Sequence, residues 1–277
     1  MGRIIVCDTK QATKPYIFSN TKVAVYSYEE LCYYIFHNMP LLHPDYFKAE
    51  LIRWIGQELE MQDLANELIG EMAAEAPLLE MLVTILSARE YYNQDEIRIF
   101  IANYEDRKNQ TGLEQLKETA DSFLLYKRYV RAISIYNKIL EKEKLISDKK
   151  FLGNVYHNKG VALAKNLELE EARTAFLRAF SLNEDDDSIR QYFVVLMMMK
   201  SYDQVKQEAQ TIGMPAQKLE DMVEEITQAR DDAQGTSVYK KFHKAMYNYD
   251  HGDLNDFNKR VDMIITQWKQ EFREQTI

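Results

Sequence analysis

Hydrophobic and polar positions change their period once along this chain. Up to residue 27 the apolar residues come in short β-branched and aromatic runs, "RIIVC", "KPYIF" and "KVAVYS", the last two separated by the turn-prone "SNT". Such runs read as strands joined by a tight turn, and they predict a two- or three-stranded element over residues 3–27. A lone hairpin is marginal in water, so its edge is expected to lie against the first helix. That helix opens at Tyr28-Glu29-Glu30 and runs to about His37, with Leu31, Tyr34 and Ile35 on one face. "NMPLLHPDY" then breaks the chain with two prolines.

From Asp45 onward the period is helical, with segments predicted at 45–59, 61–75, 77–91, 94–107, 113–127, 129–143, 149–165, 169–181, 187–200 and 202–212. Pro77 stands near a helix start, where its missing N–H is harmless. Asn93, Asn109 with Gly112, and Gly213 with Pro215 mark breaks. Beyond Pro215 a longer, more charged helix carries Leu219, Met222, Val223 and Ile226 as a single stripe at three-four spacing. Gly235 either interrupts this helix or only weakens it, "YDHGD" is a turn, and residues 254–274 form the last helix. The fold class is mainly α. Residues 1–44 hold the β element and first helix, 45–213 the succession of helices, and 214–277 a C-terminal helical hairpin.

A run of short helices raises the question of an internal repeat. In "YHNKGVALAKNLELEEARTAF", Gly160 sits in mid-helix. Glycine there costs about 1 kcal/mol relative to alanine and usually marks a close approach by another backbone. Tyr156, Gly160 and Leu163 are followed by Ala172, Phe176 and Ala179, with twelve residues from Gly160 to Ala172. The same interval separates Ala120 from Ala132, in Leu116, Thr119, Ala120, Phe123 and then Ala132, Tyr136, Ile139. A weaker copy runs through Ile189, Tyr192, Phe193 and Leu196 to Val205 and Ala209. A faint one uses Met81, Ile85, Ala88, Ile97 and Ile101. The steps from 85 to 120, 160 and 193 are 35, 40 and 33 residues.

This succession of large, small and aromatic positions resembles the tetratricopeptide repeat, clearly over residues 113–184 and loosely over 78–213. The resemblance implies an α-solenoid of stacked antiparallel hairpins, in which small side chains let paired helices nest and the C-terminal hairpin caps the stack. The longest step implies about six extra residues around "EKEKLISDKK". The motif's closing proline is absent after Ala179, where the chain reads "SLNEDDD". In repeats of this kind the first helix of each hairpin lines the concave surface. Carried over position by position, the groove residues are Lys117, Asp121, Leu124, Asn154, His157, Asn158, Val161, Lys165, Arg190, Val194 and Met197. Some family members clamp a peptide's terminal carboxylate in this groove, and Lys117, Asn158 and Arg190 fit that role. Asp121 stands where the clamp has asparagine and would repel the ligand's carboxylate, so a groove is expected and the clamp is not.

Composition narrows the classes of function. A formal charge of −9 repels nucleic-acid backbones, so no nucleic-acid partner is expected. The apolar run before Asp8 is too short for a signal peptide, and the longest later one, Tyr192–Met199, stops at Lys200. No membrane partner is expected, and the cytoplasm is the expected compartment. Cys7 and Cys32 are then free buried thiols rather than a disulfide. The five histidines form no metal-binding pair, and no glycine-rich phosphate loop or Gly-x-Ser-x-Gly is present, so neither cofactor nor metal is expected. "NEDDDS" begins like a calcium loop, but Ser188 and Val194 stand where glycine and glutamate are needed. It reads instead as an acidic helix start capped by Asp187 or Ser188. The stretch "VYKKFHKAMYNY" mixes lysines and aromatics, with aspartates close on both sides, and reads as a solvated helix face.

The expected function is a non-enzymatic protein-interaction module that binds a partner segment in the concave face. Scaffold, secretion-type chaperone and signalling-peptide receptor all fall within that class. The competing expectation is an enzyme or enzyme regulator with its site in the N-terminal element, built on Cys7, Asp8 and Cys32.

Overall fold

A computed structural model describes residues 9–276. The chain is mainly helical, with fourteen α-helices and one two-stranded sheet among the described residues. Its contacts divide it into two compact units, residues 1–122 and 123–277. Cys7, Asp8 and the run "RIIVC" lie outside the described residues.

In the first unit, β1 (Tyr16–Ile17) and β2 (Ala24–Val25) pair antiparallel, Tyr16 opposite Val25 and Ile17 opposite Ala24. The turn closes at "SNT" and Lys22, whose φ of 61° puts it in the left-handed region. The hairpin lies on α1 (Tyr28–His37), as two marginal strands require. The ring of Phe18 stacks on Tyr34 at 3.7 Å, and the Thr21 hydroxyl hydrogen-bonds the Tyr34 hydroxyl at 3.0 Å. Ser27 caps α1 by accepting from the Glu30 N–H. The helices α2 (Ala49–Gln57), α3 (Gln62–Ala73), α4 (Leu78–Ser87), α5 (Gln94–Asn109) and most of α6 (Gly112–Leu125) complete the unit. Buried Tyr28 ties α1 to the end of α4, donating to the Ile85 carbonyl at 2.7 Å and accepting from the Arg89 N–H at 3.0 Å. Ile97 and Ile101, assigned to a faint repeat, are only half-buried; α5 buries Phe100 instead, which closes an aromatic cluster with Phe36 and Tyr92.

The second unit holds α7 (Tyr129–Leu140), α8 (Lys149–Lys165), α9 (Leu169–Asn183), α10 (Asp186–Met199) and α11 (Tyr202–Thr211). It ends with α12 (Ala216–Gln234), α13 (Ser237–Asp250) and α14 (Leu254–Thr276). Each helix from α7 to α10 packs on the next in sequence, and α14 returns to touch α7. One apolar core runs from α8 to α12, through Leu163, Phe176, Tyr192, Phe193, Val205 and Leu219. The run after Pro215 is two helices: it breaks at Gly235, and Thr236 caps the new start by accepting from the Tyr239 N–H. The cap of α10 is Asp185, which accepts from the Asp187 N–H, rather than Asp187 or Ser188.

Five helix-to-helix corners contain a left-handed residue that is not glycine: Glu60, Glu75, Lys127, Leu167 and Glu184. Glycine is the usual residue at such positions because it carries no Cβ.

Candidate functional site

Two glycines two helical turns apart set how closely α8 and α9 approach. A Cβ on Gly160 would sit 2.8 Å from the Phe176 ring, and one on Gly153 would sit 2.7 Å from the Asn183 side chain. The aromatic ring four residues beyond Ala172 therefore lies directly over Gly160. Ala172 and Phe176 are both buried in the α8–α12 core. Gly153 does the same work at the other end of the helix pair, and the sequence pattern had not singled it out. On α7, Ala132, Tyr136 and Ile139, the positions the spacing singled out, are fully buried.

The predicted groove residues fall into two sets. Lys117 and Asp121 belong to the first unit and pair with each other at 2.6 Å, so Asp121 is the ammonium's partner. Leu124, in the last turn of α6, is half-buried in the second unit. The rest form stripes on α8 and α10: Asn154, His157, Asn158, Val161 and Lys165 on the first, Arg190, Val194 and Met197 on the second. His157 links the two helices. Its Nδ1 hydrogen-bonds the buried Ser188 hydroxyl at 2.9 Å, its Nε2 lies 3.5 Å from Asp187, and its ring meets Phe176 edge-on. The Asn154 side-chain oxygen accepts from Asn183 at 3.3 Å. Arg190 is engaged by Glu225 of α12 and lies 3.7 Å from Asp187, and these carboxylates hold its guanidinium charged. Val161 and Met197 lean on the core, Val194 is partly buried and Lys165 is exposed.

A cleft of about 680 Å³ opens on α7, α8 and α9, and none of the predicted groove residues line it. Ile133, Tyr156, Leu163 and Ala175 form its apolar wall, with Lys159, Glu168 and Arg178 among its polar groups. Lys159 is half-buried; desolvation pulls its ammonium below the usual lysine range, with Glu168 opposing the shift. Glu143, in a short 3₁₀ turn between α7 and α8, accepts from the Tyr156 hydroxyl and from Arg178, both at 2.8 Å. Arg178 first, then Tyr156, hold its carboxyl below the usual range. The sequence spacing could not show this cleft, because its lining alternates between helices 20 to 40 residues apart.

Cys32, a candidate of the competing enzyme expectation, is fully buried on α1 with its thiol 3.8 Å from the Ile85 carbonyl. Burial pushes that thiol up to about 12, so it is held neutral rather than as the nucleophilic thiolate. Among the described residues no group of three His, Cys, Asp or Glu side chains converges to hold a metal ion, and no helix is long and apolar enough to cross a membrane. No protein-family model, curated protein or solved structure matches this chain.

Proposed function

We propose that this chain is a non-enzymatic protein-interaction module, a tetratricopeptide-like array whose α8/α10 face holds a segment of a partner protein. One observation carries the reading. Asn158, Val161 and Lys165 on α8 and Val194 and Met197 on α10 are partly or fully exposed, a mix of polar and apolar side chains on two helices linked by the His157–Ser188 hydrogen bond. Helix α8 is held closely on α9 by the Gly160–Phe176 contact, and α10 packs on α9 in turn. A face held rigid before binding loses little conformational entropy when a partner docks. Small residues at the helix crossings and a recurring twelve-residue interval support the repeat. Arg190 and His157 act in this reading as struts, since their charge and hydrogen-bonding capacity are already used within the chain.

The test is affinity capture from the native source with the wild-type chain and with a Lys165→Glu/Val194→Glu variant. Partners recovered by the first and lost by the second are expected; equal recovery would reject the α8/α10 face. Arg190→Glu is the wrong probe, because it breaks the link to Glu225 inside the chain.

A further inference from the structure

The last two helices carry a surface that the α8/α10 reading does not use. Val238, Tyr239 and Phe242 on α13 and Met263, Ile265 and Trp268 on α14 are between 38% and 66% exposed. Between the two helices runs a groove of about 380 Å³, walled by Lys241 and Lys244 from α13 and by Arg260, Met263, Ile264 and Gln267 from α14. The apolar floor is Met263 and Ile264, neighbours on one turn of α14, with Arg260 and Gln267 one turn to either side. Every ionisable group on the rim is a cation. Arg260 is paired with Asp256 at 2.5 Å, whereas Lys241 and Lys244 form no ion pair among the described residues.

The charge changes sign where the chain breaks at Gly235. Helix α12 sets six carboxylates, among them Glu220, Glu224 and Asp231, against Lys218 and Arg230. Helix α13 sets Lys240, Lys241 and Lys244 against Asp250 alone. In a chain of net charge −9, a cationic apolar groove is a local exception that draws an acidic ligand to one place.

We propose that the α13/α14 groove docks an acidic amphipathic helix of a partner protein. The partner helix's apolar face, built at three- or four-residue spacing, would pack on Met263 and Ile264, and flanking carboxylates would reach Lys241 and Lys244, the helix-in-groove mode of recognition. A second copy of the chain does not supply this helix. Its own acidic amphipathic segment, α12, has already buried Leu219 and Met222 in the core. Single-stranded nucleic acid would need aromatic platforms, and the groove floor is aliphatic. An anionic bilayer suits a convex apolar stripe better than a two-walled groove, and the net charge of the whole chain opposes it.

The experiment is selection of helical peptides from a randomised library against the full chain, with affinities measured by fluorescence anisotropy. Enriched peptides of net negative charge, carrying an apolar pair at three- or four-residue spacing, are expected. Their affinity is expected to fall at least about tenfold in a Lys241→Glu/Lys244→Glu variant, less in Lys241→Gln/Lys244→Gln, and to weaken with added salt. The Lys165→Glu/Val194→Glu variant is expected to stay within about twofold, which separates this groove from the α8/α10 face. The proposal is overturned by enrichment of neutral or basic peptides, or by equal affinity in both lysine variants. Tighter binding of oligodeoxythymidine or of phosphatidylserine vesicles, or self-association that the lysine substitutions abolish, would overturn it as well. Circular dichroism of each variant confirms that the helices are intact.

Discussion

Replacing Gly160 by alanine sets two known effects against each other, and the structure decides which wins. On helix propensity alone the change is favourable by about 1 kcal/mol. The new Cβ, however, would stand 2.8, 2.9 and 3.0 Å from three atoms of the Phe176 ring, against an ordinary carbon–carbon contact of about 3.5–4.0 Å. Phe176 is 1% exposed and packed within the α8–α12 core. Forced overpacking of this kind costs about 1–3 kcal/mol, so a net loss of about 1 kcal/mol is expected. For a unit the size of residues 123–277 that is a fall in melting temperature of about 2–4 °C, read by circular dichroism at 222 nm. Gly70, on α3, is the control. It is exposed and a Cβ there meets nothing within 4 Å, so Gly70→Ala should gain up to about 1 kcal/mol. The two glycines lie in different units, and each substitution should move its own unit's transition if the two melt separately. A Gly160→Ala chain as stable as the parent, or more so, would refute the account of α8/α9 packing. Phe176→Leu in the Gly160→Ala background supplies the cross-check: if the ring is the obstacle, the pair should couple by more than about 0.5 kcal/mol.

Three further outcomes are set by the geometry. In a Cys7→Ser chain, Cys32 should resist a thiol reagent such as DTNB at pH 8 and react fully in urea; rapid labelling of the native chain would contradict its burial. Glu143, whose carboxyl is held low by Arg178 and Tyr156, adds stability above its unfolded pKa and loses it as pH falls through the lower folded value. Glu143→Gln should therefore flatten the acid limb of the melting-temperature profile below about pH 4.5, and an unchanged limb would count against the clamp. Lys159 is half-buried, and its ammonium is disfavoured by desolvation, so Lys159→Met should hold or raise the melting temperature at pH 7. A fall of several degrees would show that the ammonium has a partner worth more than its burial costs.

Much of the fold was legible because period and punctuation agree along most of the chain. Asn93 with Glu96 forms a capping box at the predicted start of α5, and Asp148 caps α8 immediately before its predicted start at residue 149. Gly235 was ambiguous because a glycine in a helical pattern either weakens or ends it, and the outcome turned on Thr236 being able to cap the next helix. Ala172, Phe176, Phe193 and Val205, singled out by the twelve-residue interval, lie in the core. The groove was harder to read. The resemblance put candidate groove residues on α8 and α10, but it could not show that Arg190 would be taken by Glu225, thirty-five residues away on another helix, or His157 by Ser188. Long-range electrostatic pairing leaves no periodic trace. The cleft over Lys159 was missed for the same reason, since three helices contribute to it and none announces it alone.

The left-handed corners at Glu60, Glu75, Lys127, Leu167 and Glu184 have a consequence for engineering. A side chain in that conformation is disfavoured, and glycine relieves the clash at some cost in unfolded-chain entropy, for a net gain on the order of 0.5 kcal/mol per corner. All five residues are exposed, so the exchange touches neither the core nor either proposed binding face. The protein thus holds an unspent reserve of ruggedness at its bends, open to anyone who needs a sturdier chain for binding or melting experiments.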